Sequence, residues 1–318
     1  MRAVWLREFG GPEVLTPGDA PDPVAGAGQV LVDVAFVNTT FVETQFRATG
    51  KGPFAGSLPM IPGNGVGGLV AEMGEGVPGD LAGARVVTST GGSGGYAERV
   101  AVDAAALVRV PGEVALDTAT ALLADGRTAT MMTRAANLRP GDRVLVEAAA
   151  GGVGSLIVQL AVAAGARVIA AVGSARKAVV AAELGAGTTV DYTEDGWAKH
   201  VRDAAGAVDV VFDGVGGQVA RTAFELLDDG GRMVSFGLSS GTWAPIGEDE
   251  ATARGVTLVR ASATPAELRE YTVSALAEAA AGRLRPIIGQ RFRLDEAAAA
   301  HAAIQSRATI GKTLLETR

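Results

Sequence analysis

The segment richest in potential chemistry is RVLVEAAAGGVGSLIVQLA, Arg143–Ala161. An apolar run of strand length enters Ala149-Ala150-Gly151-Gly152-Val153-Gly154 and leaves directly into an apolar run of helix length. Glycines between a strand and a helix can form a pyrophosphate cradle. One glycine lets the backbone approach the phosphates, and a later one lets helix and strand pack closely. The helix N-terminus adds unpaired N–H groups and the positive end of its dipole. Ala149 stands where the first glycine of that pattern is usual, Gly151 is the expected approach point and Gly154 the expected packing point. A tight turn without a ligand also calls for glycine, and a chain with 44 glycines offers many such matches. The strand before, the helix after and four further strand–helix repeats make a bound dinucleotide the expectation, with Ala150, Gly151, Gly152, Val153 and Gly154 around it.

The next strand, RVIAAV (Arg167–Val172), runs into Gly173-Ser174-Ala175-Arg176-Lys177. Sites for NAD place an acid at this strand's end to accept from the ribose 2′-hydroxyl, and that acid would repel a 2′-phosphate. No acid stands at the expected position. Ser174 can donate a hydrogen bond, Arg176 and Lys177 bring positive charge, and an arginine can fork onto phosphate. The expected cofactor is therefore NADP(H), with Gly173 in the same turn; the competing reading makes both cations solvated residues of the next helix. Downstream, Asp213-Gly214-Val215-Gly216-Gly217 follows the fourth strand and Gly237-Leu238 the fifth. Gly214, Val215, Gly237 and Leu238 are expected to admit ribose and nicotinamide close to the backbone, although any tight strand-to-helix connection needs glycine too.

Composition removes other chemistries. The chain has 318 residues, no cysteine and two histidines, His200 and His301, far apart in sequence. Disulfides, a thiolate nucleophile, cysteine-ligated zinc and iron–sulfur clusters are excluded, and no metal is expected. The formal charge of −7 gives no reason to expect binding to nucleic acid. MRAVWLREFGGPEVL lacks a signal-peptide core and no stretch reaches the apolar length of a membrane span, so a soluble, cytoplasmic protein is expected.

The elements that must hold these residues change rhythm along the chain. The first hundred residues read as short strands with Gly/Pro punctuation, among them Gln29–Val37, Gly68–Gly74, Ala84–Thr90 and Tyr96–Val102, with no full-length helix before about Thr118. Thr118–Ala136 reads as a helix, with a possible break near Gly126. Strands of about six residues then alternate with helices of ten or more, the signature of a parallel sheet covered on both faces. The fold class expected is α/β, a Rossmann-type doubly wound sheet inserted in a β-rich domain. Its expected boundaries are 1–121, 122–262 and a return at 263–318.

In their order and spacing several pieces of the chain resemble the zinc-independent quinone oxidoreductases related to zeta-crystallin, within the medium-chain dehydrogenase/reductase superfamily. They are MRAVWLREFGGPEVL, Pro62-Gly63 with Gly67-Gly68, Gly95-Tyr96-Ala97-Glu98, Thr128-Ala129, Leu138–Val146 feeding AAAGGVG, Asp191-Tyr192 and Gly311-Lys312. The resemblance covers nearly the full length. It implies a GroES-like catalytic domain, a nucleotide-binding sheet of order 3-2-1-4-5-6 and, usually, a homodimer. It places the 2′-phosphate grip on Ser174, Lys177 and Tyr192, a threonine near the nicotinamide on Thr128, further cofactor contacts on Gly151, Gly152, Val153 and Gly237, and Lys312 among the cofactor residues. Where zinc alcohol dehydrogenases carry Gly-His-Glu, this chain has Gly63-Asn64-Gly65, so the metal ligand and its acidic neighbour are both gone.

The expected reaction is hydride transfer from NADPH to a small quinone or another unsaturated carbonyl, with enone or 2-alkenal reduction as the nearest alternative. An NADPH-binding structural or regulatory protein with little turnover is the alternative of a different class. Asn38, Thr40 and Thr128 are the candidate groups on the reduced oxygen. The chain reads Asn38-Thr39-Thr40-Phe41-Val42-Glu43, where the family commonly has Asn, one residue and then Asp. The substrate-side position therefore falls on Asn38 or Thr40, with Glu43 in place of the acid, and an Asn that merely closes a turn is the competing reading. Tyr96 is a further possible donor or a loop-packing residue. His200 is expected on the surface, and His301 on a helix surface or in packing.

Overall fold

The computed structural model describes residues 1–54 and 56–317. The chain divides into two compact units: Met1–Ala124 with Thr272–Arg318, and Asp125–Tyr271.

The first unit is built on a seven-stranded sheet. Its path runs Ile288–Arg293, Lys312–Glu316, Gln29–Thr39, Gly65–Met73, Arg85–Ser89, Val108–Arg109, and Arg99–Asp103 pairs with Gln29–Thr39 off that path. Gln29–Thr39 pairs antiparallel with three neighbours, which explains its nearly continuous buried run of Val30, Leu31, Val32, Val34 and Val37. The last strand, Lys312–Glu316, belongs to this sheet, and Leu294, Ala297 and Ala300 enter the same core as Val4, Leu6 and Phe46.

One element here departs from the sequence reading. Phe41–Thr49 is a nine-residue α-helix, inside the stretch expected to hold only strands and turns. Thr40 and Glu43 form a reciprocal capping box at its start, and Gly50, left-handed at φ 69, closes its end. The signal was Thr-x-x-Glu before Phe46, which the strand-like surroundings hid.

The second unit carries six parallel strands in the order Thr188–Asp191, Arg167–Val172, Arg143–Glu147, Val208–Asp213, Leu227–Ser235, Thr257–Val259. In chain order this is 3-2-1-4-5-6, as the family resemblance implies, with every neighbouring pair parallel. The central strand Arg143–Glu147 has Val144, Leu145 and Val146 fully buried, the consequence of being covered on both faces. Leu116–Ala136 is one continuous helix, with no break at Gly126. Buried inside an α-helix, that glycine is tolerated by packing against its low propensity. Among the described residues no helix is long and apolar enough to cross a membrane.

Candidate active site

In the parallel-sheet unit the glycine turn sits between the central strand and the helix Gly152–Ala163. Gly151 is the extended N-cap residue, contributes no side-chain cap, and no acid lies in the first turn. The first-turn amides therefore have no partner within the helix. A Cβ on Gly154 would fall 2.3 Å from the carbonyl oxygen of Ala148, so helix and strand end meet backbone to backbone. A Cβ on Gly152 would fall 2.0 Å from Oδ2 of Asp125. Ala148 is left-handed at φ 49, a conformation that costs a non-glycine residue ~1 kcal/mol; its carbonyl accepts from the Gly151 amide at 2.8 Å. These bare, closely packed turns and uncapped amides fit the pyrophosphate of a dinucleotide.

The residues after the second strand gather as expected for one site. Ser174 caps the helix Ala175–Glu183 by accepting from the Lys177 amide. A Cβ on Gly173 would touch the Tyr192 hydroxyl at 3.2 Å, so the third strand's end closes over the same turn. Lys177 is half-buried; desolvation lowers its ammonium and the nearby Asp191 carboxylate opposes that shift. Arg176 is exposed. The structure thus brings Gly173, Ser174, Lys177 and Tyr192 together at one strand end, with Arg176 on the adjoining surface.

Two further loops lie at the carboxyl ends of the fourth and fifth strands. The amides of Phe236 and Gly237 donate to the carbonyl of Asp213 at 2.8 and 3.3 Å, and Ser240 donates to Val215 at 2.8 Å. Gly214 and Gly237 pack together so tightly that a Cβ on either would strike the other loop. Gly214, Val215, Gly237 and Leu238 are therefore parts of one paired-loop surface.

Sequence reasoning missed two residues in this unit. Asp125 is buried against Gly152, and Arg127 is half-buried, its guanidinium lowered by desolvation against the opposing pull of Asp125. An acid and a base two residues apart in the otherwise apolar helix ALLADGRTATMM were the available signal. Thr128, half-buried, follows directly.

Asn38, Thr40 and Lys312 belong to the β-rich unit. Asn38 is fully buried, and neither its Oδ1 nor its Nδ2 has a hydrogen-bond partner. Thr40 is engaged: its hydroxyl donates to Glu43 Oε2 at 2.8 Å and accepts from the Glu43 amide at 3.4 Å. Glu43 Oε1 accepts from the Asn64 amide at 2.9 Å. Burial raises the Glu43 carboxyl, while Thr40 and the Lys312 charge draw it down. Lys312 is buried in the last strand, where its charge acts on Glu43. Tyr96 and His301 are both buried, with the hydroxyl 2.8 Å from Nε2, whereas His200 is exposed. No group of three or more His, Cys, Asp or Glu among the described residues is placed to hold a metal ion.

Comparison with known proteins agrees with this architecture. The family of the alcohol dehydrogenase GroES-like domain matches residues 26–112, and the zinc-binding dehydrogenase family matches residues 152–278. The chain is 33% identical over 323 residues to a quinone oxidoreductase of Pseudomonas aeruginosa, covering 99% of each. It is 31% identical to a 2-haloacrylate reductase of a Burkholderia species, covering 98% of each. The crystal structure of Escherichia coli quinone oxidoreductase complexed with NADPH superposes with a TM-score of 0.91 at 30% identity, over 99% of this chain and 100% of that one. With a Rossmann-type sheet, a GroES-like domain and quinone oxidoreductases among relatives at least 30% identical over nearly its whole length, the chain belongs to the zinc-independent quinone oxidoreductase family of the medium-chain dehydrogenase/reductase superfamily.

Proposed function

We propose that the protein is an NADPH-dependent, zinc-independent reductase of quinones. The observation that carries this reading is the turn after the second strand. It presents Ser174, Arg176 and Lys177 and carries no carboxylate of its own, on the strand next to a glycine turn whose N-cap residue supplies no side-chain cap. Bound NADPH supplies the hydride in this reading.

The chain's own work is binding, orientation and charge stabilisation. The Gly151–Gly154 turn holds pyrophosphate, and Ser174, Arg176, Lys177 and Tyr192 hold the 2′-phosphate, whose charge suits Lys177 and must compete with the nearby Asp191 carboxylate for it. The paired loops carrying Gly214, Val215, Gly237 and Leu238 hold the nicotinamide half. Asn38 offers a buried amide donor without a protein partner, the kind of group that stabilises an oxyanion formed on the acceptor. Thr128 is the second proposed donor. Thr40 is the weaker candidate because its hydroxyl already serves the capping box. A quinone accepts electrons readily, so neither a metal nor a strong protein acid is needed.

Reduction of an activated carbon–carbon double bond is the second reading, favoured by the likeness to a 2-haloacrylate reductase. The proposed assembly is a homodimer and the proposed setting the cytoplasm, checked by solution mass and by fractionation. Oxidation of NADPH measured against a panel of quinones and a panel of enones separates the two reactions. Activity on quinones is expected, and inactivity on both panels overturns the enzymatic reading.

A further inference from the structure

Two acidic side chains face each other, away from water, at the carboxyl ends of the central strands. Arg143–Glu147 and Val208–Asp213 run parallel in a register that sets Val146 beside Phe212. Glu147 and Asp213 therefore end side by side, both fully buried and within hydrogen-bonding reach of each other. At the opposite ends of the same strands Arg143 forks onto Asp209, with Nη2 to Oδ1 at 2.7 Å and Nε to Oδ2 at 3.0 Å. An ion pair ties one end; two acids meet at the other.

Two carboxylates cannot bond to each other, because each offers only acceptors and like charges out of water repel. One proton resolves both problems, and the surrounding donors say where it sits. Asp213 Oδ1 accepts from the amides of Val215 at 3.1 Å and Gly216 at 2.8 Å, and Oδ2 accepts from the Ser235 hydroxyl at 2.8 Å. Glu147 Oε2 has a longer contact, 3.2 Å to the Val215 amide, the Gly214 amide is also directed at the carboxyl, and Oε1 makes no hydrogen bond of normal geometry. Asp213 is the well-supplied carboxylate and Glu147 the acid. On its other flank Glu147 faces Ala171, and the helix Gly152–Ala163 carries no ionisable residue. Among the described residues Asp213 is the ionisable group against it, and burial first, then this neighbour, push the Glu147 carboxyl well above its ordinary range.

Asp213 also organises both loops of the site. Its side chain holds the amides of Val215 and Gly216, the latter left-handed at φ 74, while its carbonyl receives Phe236 and Gly237. We propose that Glu147 and Asp213 share a single proton in the folded protein, and that this pair is a positioning device setting the two glycine loops for the cofactor. The second half rests on the NADPH reading above; the first half does not.

The test begins with the cofactor-free protein. The folded state keeps a proton on Glu147 that the unfolded chain releases above its ordinary carboxyl range. The stabilisation is complete below that range and is lost as pH rises toward the folded value. The folded-to-unfolded ratio of the wild type should thus fall relative to Glu147→Gln by about tenfold per pH unit from roughly pH 5 upward. Infrared difference spectra of wild type minus Glu147→Gln at pH 7 should contain the carbonyl band of a protonated carboxyl. Parallel stability profiles, or no such band, overturn the shared proton.

For the positioning half, Glu147→Leu removes the donor to Asp213 and should weaken NADPH binding several-fold. Glu147→Gln, whose amide still donates, should rescue it. Equal affinity in Leu and wild type overturns the positioning role. A wild type that binds no NADPH overturns the cofactor reading while leaving the proton result standing.

Discussion

The hydroxyl of Tyr96 lies 2.8 Å from Nε2 of His301, with both rings closed off from solvent and set edge to face. Burial, with the Arg47 charge adding to it, lowers the imidazole to about 3. His301 is therefore neutral in the folded protein, and the pair is a buried hydrogen bond between packing residues of one core.

Stability should accordingly depend on pH through His301. The unfolded chain binds a proton near pH 6.5 that the folded chain refuses until about 3, so stabilisation is complete above pH 6.5 and is lost as pH falls toward 3. Between pH 6.5 and 5 the His301 contribution alone should fall by about 2 kcal/mol. Denaturant unfolding at pH 7 and pH 5 checks this. His301→Gln is expected to be less stable at pH 7 and to lack the His301 contribution, so the wild type should lose about 2 kcal/mol relative to it between pH 7 and pH 5; parallel profiles of the two proteins contradict the assignment.

The 2′-phosphate grip predicts an asymmetry between cofactors. Lys177→Ala should cost NADPH binding ~1.5–3 kcal/mol, the range for a hydrogen bond to a charged group, and leave NADH binding nearly unchanged. Fluorescence titration with each cofactor reads this directly. The NADPH loss should shrink at high salt, because a half-exposed ion pair is screened. Equal losses for the two cofactors would remove Lys177 from the grip.

Gly152 and Gly154 are both crowded, but by different neighbours. The obstacle at Gly154 is the Ala148 backbone; at Gly152 it is the end of the Asp125 side chain. Gly154→Ala should therefore destabilise the fold by ~1–3 kcal/mol, since backbone must move. Gly152→Ala should cost less than Gly154→Ala, because its obstacle is the end of a side chain rather than backbone. NADPH affinity should fall in both. A thermal melt in which Gly152→Ala is the worse of the two would mean that Asp125 is held in place.

How much of this was readable in the sequence depends on how far apart the partners lie. The strand–turn–helix of Arg143–Ala161 was legible because its parts are contiguous, and the parallel sheet because strands and helices alternate. The capping box Thr40–Glu43 was equally local, but the β-branched and apolar residues around it read as strand and turn. Glu147 beside Asp213 and Tyr96 beside His301 had no sequence signature. The first pair exists only once two strands adopt a register, and the second joins residues 205 positions apart. Each residue alone looked like a strand-end acid, a loop aromatic or a helix histidine.

The substrate-side choice between Asn38 and Thr40 separates by readout. Thr40→Ala removes an N-cap and should cost ~1 kcal/mol of stability, with a modest effect on turnover. Asn38→Ala removes a buried amide that has no partner in the fold. Stability should be retained or slightly raised, since an unsatisfied buried polar group is itself costly. Quinone reduction should instead slow by a factor of about 10²–10³, the effect of deleting one oxyanion donor, while NADPH affinity stays within error. Steady-state kinetics and melts on the two variants decide it. If Thr40→Ala loses turnover without losing stability while Asn38→Ala keeps both, the donor is Thr40, and the capping hydroxyl must leave Glu43 to reach the acceptor.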